Sequence, residues 1–337
     1  MSAKIPLPRI RLGAHIIHCP VLLAPMSGVT DLPFRRLASR LGAHYVVSEM
    51  IASRELIRGR REIMRRALGS ELSPFVIQLA GTEPHWMAEA AQLCTDLGAD
   101  IIDINMGCPA KAVTGMQSGS ALMRDLPRAV RLIQAVIAQT HVPVTLKMRL
   151  GWDRATMSAP ILARMAQEAG ISMIVVHGRT RNEFFKGSAD WTAVSSVVDA
   201  VTVPVIVNGD ILDYGDLMTA ILASGASGVM VGRGAYGRPW LPAQLSRQWQ
   251  GNCSTDSLAL SELTDIALDH LDAMLSHYGA DQGLRNARKH ISWYIANATT
   301  DAGLLKEWRR QLCTEDSPKR VVKGLKEFFG QIAQVHA

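Results

Sequence analysis

Short apolar runs rich in Val and Ile recur through the first two thirds of the chain, with helical patterns between them. The runs do not alternate apolar with polar residues, which predicts parallel strands covered on both faces. Eight strands are predicted, at about residues 21–24, 45–48, 75–79, 101–105, 144–148, 173–177, 205–208 and 229–232. Amphipathic helices are predicted between them, including residues 83–97, 127–139, 159–169 and 214–224.

The repeated strand-then-helix order predicts an α/β protein built as a (β/α)8 TIM barrel. A doubly wound sheet is less suitable, because its GxGxxG loop should follow the first strand and is absent. Residues 11–19 are expected to form a hairpin or plug over the barrel bottom. Strand signals vanish after residue 257. The sequence thus predicts a barrel domain over residues 1–250, a linker near 249–256 and a smaller all-helical domain over 257–337.

Composition fits a folded protein of 337 residues, since 48% of them are hydrophobic and the net charge is only +6. The five cysteines are an odd number without CxxC spacing, so we expect no disulfide framework and no metal site. Neither a signal peptide nor a membrane span is expected, because no apolar stretch is long enough for either. We therefore expect a cytoplasmic protein.

The positive charge is concentrated near the start of the chain. Residues 1–66 contain 12 Lys and Arg against 4 Asp and Glu, and the densest part is residues 54–66. Such a segment is either a solvated helix face with i,i+4 ion pairs or a surface that contacts nucleic-acid phosphates. The sequence leaves both interpretations open.

Candidate chemistry lies where the predicted strands end, because barrel active sites form at the carboxyl ends of the strands. Strand seven ends in Asn208-Gly209-Asp210 and strand eight in Gly232-Arg233-Gly234. Each motif alone is compatible with a plain turn. Both together, after strands seven and eight, favour a phosphate site in which backbone N–H groups approach the anion.

A lysine and a glutamine suggest what accompanies that phosphate. Lys147 lies within an apolar strand, where burial is costly unless the ammonium meets an anion or an acceptor. It suits either a Schiff base or a fixed cation at the pyrimidine edge of a flavin. Gln78 can donate and accept along the same edge, which favours the flavin.

Two further strand-end residues carry possible chemistry. Cys108 lies between a glycine and a proline just beyond strand four, which predicts a thiol at the barrel mouth rather than in the core. A thiol is mostly protonated at neutral pH, so it can act as a general acid as well as a nucleophile. His177 is either a packed strand-end histidine or a contact to flavin or substrate.

Several of these segments together resemble one enzyme family. They include LLAPMSGVTDLPFR, DINMGCPAK, VTLKMRLGW, VVHGRTR, VIVNGDI and VGRGAYGRPW. In order and spacing they are similar to the tRNA-dihydrouridine synthase family, most closely its bacterial B-type branch, over about Val21 to Tyr294. The resemblance implies FMN at the barrel mouth, NADPH as electron donor, and reduction of a tRNA D-loop uridine, at position 17 for the B-type branch, by a monomer.

The resemblance also implies roles for individual residues. Cys108 corresponds to the catalytic acid. Cofactor contacts correspond to Pro25, Met26, Ser27, Gln78, Lys147, His177, Asn208, Gly209, Asp210, Gly232 and Arg233. Contacts to flavin or to the target nucleotide correspond to Asn105, Lys111 and Arg149. Ser27 stands where the family commonly has Ala, and Ala112 where a second Lys often follows, which weakens only the phosphate contact near Lys111.

The C-terminal helical region offers a candidate tRNA surface. Arg285, Arg288 and Lys289 are followed by His290, Trp293 and Tyr294, a mixture of cations and aromatic rings that suits phosphates and bases. The alternative is a helix that packs inside its domain. Two other functions remain open: an FMN oxidoreductase acting on a free pyrimidine, and a non-catalytic RNA-binding or regulatory barrel. The first of these leaves the basic segment and the helical region without a role.

Overall fold

A computed structural model describes residues 8–252 and 258–336. The described chain begins with an antiparallel hairpin of β1 (Arg9–Leu12) and β2 (His15–His18). Eight parallel strands follow, and their bounds are β3 (Val21–Leu23), β4 (Ile51–Ala52), β5 (Val76–Ala80), β6 (Ile101–Met106), β7 (Val144–Arg149), β8 (Met173–His177), β9 (Val205–Asn208) and β10 (Gly228–Val231).

The eight strands form a single parallel sheet in the order β3-β10-β9-β8-β7-β6-β5-β4. Residues 45–48 close this sheet into a ring, because Val46 bridges Leu23 of β3 and Val47 bridges Val76 of β5. The Leu23 amide also donates to the Tyr45 carbonyl at 2.9 Å. The second predicted strand therefore forms only bridges, and regular pairing with β5 resumes at β4. The predicted (β/α)8 architecture is confirmed.

Ten helices belong to the barrel within the described residues: α1 (Leu32–Arg40), α2 (Ser53–Ile57), α3 (Arg61–Arg66), α4 (Pro84–Asp96), α5 (Lys111–Thr114), α6 (Leu126–Ala138), α7 (Ala159–Ala169), α8 (Ser195–Val198), α9 (Tyr214–Ser224) and α10 (Leu241–Trp249). Aspartates cap several of them. Asp31, Asp125 and Asp213 each accept from a backbone N–H in the first turn of α1, α6 and α9, which satisfies a donor left unpaired by the helix. The four helices predicted from periodicity are observed within one residue at either end.

The barrel interior is apolar at its bottom. Ile10, Leu12 and Ile17 of the hairpin belong to one buried cluster with Ile101 and Met173, which begin β6 and β8. Burial of these side chains excludes water from the end of the barrel where the strands start. The predicted plug is confirmed, although its first strand begins at Arg9. Polar side chains lie at the opposite end of the same strands.

The second unit is helical and contains α11 (Leu260–Tyr278), α12 (Ala280–Ala298), α13 (Ala302–Leu312) and α14 (Pro318–His336). Residues Ala235–Trp240 group with these helices, although the predicted boundary placed them in the barrel domain. The Tyr236 ring stacks on Trp293 of α12 at 4.0 Å, and the Asn297 amide donates to the Tyr236 carbonyl at 2.8 Å. Residues 253–257, which include part of the predicted linker, lie outside the described residues. In the described chain, no helix is long and apolar enough to cross a membrane.

Candidate active site

A network of buried polar side chains occupies the upper part of the barrel interior. The Gln78 amide nitrogen donates to Asp103 at 2.7 Å, and the Gln78 oxygen accepts from the Asn105 amide at 2.9 Å. The Thr145 hydroxyl donates to the other Asp103 oxygen at 2.6 Å. Burial raises the pKa of Asp103, although the bonds from Thr145 and Gln78 act against this effect. The network fixes the orientation of the Gln78 and Asn105 amides.

Lys147 projects from β7 into this polar interior, and its side chain is buried. Its Nζ donates to Asn208 Oδ1 at 3.0 Å, and Asn208 is oriented by donating to the Met230 carbonyl at 2.7 Å. Burial, and next the charge of Arg149, lower the pKa of Lys147 to about 8. Across the described residues this is the lysine's one hydrogen bond, so two donors of the ammonium remain available to a ligand.

The loop that carries Cys108 is held from both sides. Asn105 Oδ1 accepts from the Cys108 amide at 3.0 Å, and the Cys108 carbonyl accepts from the Ser120 hydroxyl at 2.9 Å. Gly119 has φ +58°, and a Cβ there would lie 2.7 Å from the Cys108 carbonyl oxygen. Any larger residue at Gly119 would therefore displace the loop. The backbone of the half-buried Cys108 is consequently held in place by Asn105 and Ser120.

Arg149 joins the Cys108 loop to the loop after β8. Its guanidinium is 1% exposed and donates to the carbonyls of Gly107 at 2.8 Å, Thr180 at 2.8 Å and Phe184 at 2.7 Å. Burial, followed by the charge of Arg179, lowers the pKa of Arg149 to about 10, which still leaves it charged at neutral pH. The observed bonds give it a positioning role, and its contact with flavin or nucleotide stays a prediction.

The predicted phosphate motif after β9 contains a charge network. Asp210 accepts from the buried Arg179 at 3.0 and 2.5 Å, and from Arg233 at 2.9 Å. Burial acts to raise the pKa of Asp210, but the bonds from Arg179 and from the Ala189 amide outweigh it and lower the pKa below its ordinary value. A carboxylate repels a phosphate, so the contribution of Asp210 is to hold the two arginines. Arg179 was not among the predicted site residues.

Gly209 and Gly232, in the two predicted phosphate motifs, differ in what a side chain at each position would meet. Gly209 has φ +118°, and a Cβ there would lie 2.9 Å from the His177 ring. A Cβ at Gly232 would not be crowded, since its nearest neighbours would be Met26 Sδ at 3.9 Å and Ala24 Cβ at 4.0 Å, which are ordinary van der Waals distances. A side chain at Gly232 would fill a cradle lined by Met26, next to the exposed Arg233.

His177 is held in its neutral form. Burial first, and then the positive charges of Arg149 and Lys147, lower the pKa of His177 well below its ordinary value. Arg179 Nη1 lies 3.3 Å from His177 Nε2, so the imidazole nitrogen accepts this hydrogen bond. The predicted histidine therefore offers a ligand an uncharged ring at neutral pH.

The loop after β3 places Pro25 and Met26 half-buried and Ser27 exposed. A buried carboxylate, Glu49, anchors this loop by accepting from the Gly28 amide at 2.5 Å. Glu49 was missed because its partner is 21 residues away in the sequence. The predicted substrate contact Lys111 is exposed at the start of α5.

Phe185 is a second site residue that was not predicted from the sequence. Its ring is 51% exposed, and the guanidinium carbons of Arg149 and Arg233 each lie 5.3 Å from the ring centroid. An exposed aromatic ring between two cations of the site offers a surface on which a base can stack. A single phenylalanine in a loop follows no sequence pattern that would predict such a surface.

The basic segment at residues 54–66 forms α2 and α3. Glu55 pairs with Arg58 at 3.5 Å and with Arg60 at 2.5 Å, as expected of a solvated helix face. Exposed Arg54 and Arg61 have no ion pair to any described residue. The contact with nucleic-acid phosphates remains a prediction for this segment.

In the helical unit, α12 carries the other predicted cations. Arg285 is exposed, Arg288 donates to Asp316 at 2.5 Å, and Lys289 is half-buried. The neighbouring Tyr294 is buried, with its hydroxyl 3.0 Å from His270 Nδ1. Tyr294 thus packs inside the unit, as does buried His290, and neither ring is available to RNA bases. RNA binding by Arg285, Arg288 and Lys289 stays a prediction.

Removing the counterion of Arg179 is expected to destabilise the barrel. Asp210→Asn should lower the free energy of unfolding by about 2 kcal/mol, because the hydrogen bonds of the buried Arg179 guanidinium lose their charged acceptor. Asparagine tolerates the φ of +54° at this position, so the backbone contributes little to the loss. Denaturant unfolding measures the difference, and exposed Asp199→Asn is the control. Equal stabilities of Asp210→Asn and wild type at neutral pH would contradict the ion-pair role.

Solved structures share this architecture. They include histamine dehydrogenase from Rhizobium sp. 4-9, with a TM-score of 0.54 and 13% identity over 79% of this chain and 50% of that chain. A variant of NCR from Zymomonas mobilis gives a TM-score of 0.55 and 14% identity over 77% of this chain and 96% of that chain. At such identities the similarity shows the fold alone. Fold and site together define a (β/α)8 barrel with a polar, cationic rim at the carboxyl ends of its strands.

The chain belongs to the dihydrouridine synthase (Dus) family, whose profile matches residues 22–332. A probable tRNA-dihydrouridine synthase from Rhodobacter capsulatus is 53% identical over 282 residues, 83% of this chain and 87% of that protein. One from Rickettsia conorii is 43% identical over 97% of this chain and 98% of that protein. The tRNA-dihydrouridine synthase B of Pseudomonas syringae pv. tomato is 39% identical over 96% and 95%. The resemblance inferred from sequence is confirmed.

Proposed function

We propose that this protein is a tRNA-dihydrouridine synthase that reduces a uridine of the tRNA D-loop, at position 17, to 5,6-dihydrouridine. The observation that carries the proposal is a cysteine, Cys108, whose backbone amide is held by Asn105 in the loop after β6, in a barrel of this family that also contains the buried ammonium of Lys147. Relatives that align over nearly the whole chain are named for this activity. The proposal extends their activity to the present chain.

The residues at the rim fit FMN as the cofactor and NADPH as its electron donor. Lys147 has two unused donors for an electron-rich ring edge, and the uncrowded space at Gly232 beside Met26 lets a ligand approach the backbone. Arg233 is exposed next to that space and suits a phosphate. When bound there, FMN supplies the hydride for reduction of the uracil ring.

The chain's own residues supply the proton and the fixed charges. Cys108 would donate a proton to the uracil ring as general acid, and Asn105 and Ser120 hold the loop that positions it. Lys147 would hold the pyrimidine edge of the cofactor with the N–H donors that it does not give to Asn208. His177 stays neutral, so it contacts the cofactor without adding a charge.

A uridine inside folded tRNA must leave its stack to reach a barrel mouth. The exposed arginines can hold the phosphate backbone of such a substrate while the base enters the site. A flavoprotein acting on a free pyrimidine needs no such cations, and a non-catalytic RNA-binding barrel needs no rigidly held thiol. A tRNA reductase uses both the exposed cations and the cysteine of the held loop.

The visible absorption spectrum tests the proposal directly. Purified protein, supplied with FMN if necessary, should show oxidised flavin bands that NADPH bleaches. Under anaerobic conditions the bands should recover only when tRNA lacking dihydrouridine is added. Recovery with free uridine or another free pyrimidine instead would support the free-pyrimidine oxidoreductase. Protein that takes up no FMN but binds tRNA would leave the non-catalytic barrel.

A further inference from the structure

An aromatic and cationic cluster lies beside the Cys108 loop, outside the residues assigned so far. We call Arg124, Trp152, Arg181 and Phe184 the Trp152 cluster. The guanidinium carbon of Arg124 lies 4.6 Å from the Trp152 ring centroid, and that of Arg181 lies 4.5 Å from it. Arg181 also lies 4.9 Å from the Phe184 ring. These distances are those of cation–π contacts, so the rings hold both guanidinium groups in place.

The cluster contains two positive charges without a carboxylate partner among the described residues. Nearby carboxylates are engaged elsewhere: Asp125 accepts from the Arg128 amide, Asp153 from Thr156, and Glu183 from Arg154 and Thr180. By contrast, neighbouring Arg154 pairs with both Glu183 and Asp190 at 2.7 Å. The two guanidinium carbons lie within 4.6 Å of one indole centroid, so their like charges repel, and a bound anion offsets that repulsion.

The donors of Arg181 are only partly used. Its Nη1 donates to Asn182 at 3.2 Å and its Nη2 to Thr114 at 3.3 Å, while its Nε is buried without a hydrogen-bond partner. Phe184, which stacks on it, holds φ +53°. A bulky L residue rarely adopts this conformation, so the surrounding loop maintains a strained backbone that presents the ring to Arg181.

The cluster is attached to the site by its backbone and side chains. Thr114, the partner of Arg181, is in α5, which begins three residues after Cys108. The Phe184 carbonyl accepts from Arg149, whose Nε in turn holds the Gly107 carbonyl. An anion bound by Arg124 and Arg181 therefore lies at the side of the mouth where Cys108 is presented.

We propose that Arg124 and Arg181, held by Trp152, bind a backbone phosphate of the RNA strand next to the uridine that enters the site. The inference rests on the proposed function. Aromatic rings cover the guanidinium faces, so the N–H edges are what the cluster offers, and these edges match phosphate oxygens. Arginines already ordered by stacking lose less conformational entropy when the phosphate binds. The phosphate contact fixes the position of the strand, and the pocket selects the base.

Equilibrium binding of an unmodified tRNA transcript, measured at several salt concentrations without turnover, tests this inference. Arg124→Ala should bind about tenfold more weakly, and the slope of log affinity against log salt should decrease by about 1. Trp152→Leu should weaken binding similarly, whereas Trp152→Phe keeps an aromatic face and should bind nearly as wild type. The matched control is Arg131→Ala, which removes an exposed arginine from α6 and should leave binding unchanged.

The outcomes separate this inference from the proposed function. Arg124 is exposed, so its replacement should not impair folding, which thermal unfolding checks. If wild type forms dihydrouridine while Arg124→Ala retains the wild-type affinity and salt slope, the phosphate contact is overturned and the proposed function stands. If wild type forms no dihydrouridine, the proposed function fails, and a tRNA affinity reduced by Arg124→Ala but not by Arg131→Ala still supports the cluster as an RNA contact.

Discussion

Cys108→Ala should lower the rate of dihydrouridine formation by about 10²- to 10⁴-fold, the range expected when a positioned general acid is removed. Reduction of bound flavin by NADPH should keep its wild-type rate, because the thiol has no part in that step. Binding of tRNA should also be unchanged. Single-turnover oxidation of the reduced flavin by tRNA, followed by absorbance under anaerobic conditions, measures the affected step directly.

The controls use the other cysteines. Cys94 is fully buried on α4 and is therefore not used as a control. Cys313 lies in the helical unit, so Cys313→Ala tests for a general effect of losing a thiol. Cys108→Ser is informative because a hydroxyl is a much weaker acid of similar size. The rate of dihydrouridine formation by Cys108→Ser should be closer to that of Cys108→Ala than to that of wild type. Undiminished single-turnover rates in Cys108→Ala would remove Cys108 as the proton donor.

The barrel was predictable from sequence because parallel strands buried on both faces are continuous apolar runs. Seven of the predicted strands coincide with regular strands of the sheet, and the second differs for a physical reason. Residues 45–48 close the ring through bridges, and regular pairing resumes only at β4, after Glu49, whose carboxylate accepts from the Gly28 amide. The partner of Glu49 is 21 residues away, so local spacing could not predict it.

The strand-end chemistry was also visible in part. Lys147 stands out as a charge within an apolar run, and Asn208 and Gly209 follow another strand directly. The role of Asp210 was not visible in the sequence, because it depends on Arg179 and Arg233, from two different loops, both pairing with this one carboxylate. Phe185 and the Trp152 cluster are likewise contacts between loops after different strands. Such contacts depend on closure of the ring, which no local pattern encodes.

Lys147→Met should slow reduction of the bound flavin by NADPH by about 100-fold, because a fixed cation that stabilises developing charge is lost. Methionine preserves most of the side-chain volume, and the lysine makes one hydrogen bond among the described residues, so folding should be retained. Stopped-flow absorbance gives the rate. Lys319→Met, at an exposed position of α14, is the matched control for loss of one charge.

The pH dependence of FMN binding tests the same ammonium without turnover. Because burial and Arg149 lower the pKa of Lys147 to about 8, the cation is present below that pH and is lost as pH rises through it. The affinity of the apoprotein for FMN, measured by quenching of flavin fluorescence, should therefore fall above about pH 8 in wild type. Lys147→Met should bind FMN more weakly at neutral pH and show no such fall. A wild-type affinity that stays constant through this range and matches that of Lys147→Met would exclude the ammonium from the cofactor site, and the buried charge would then serve only Asn208.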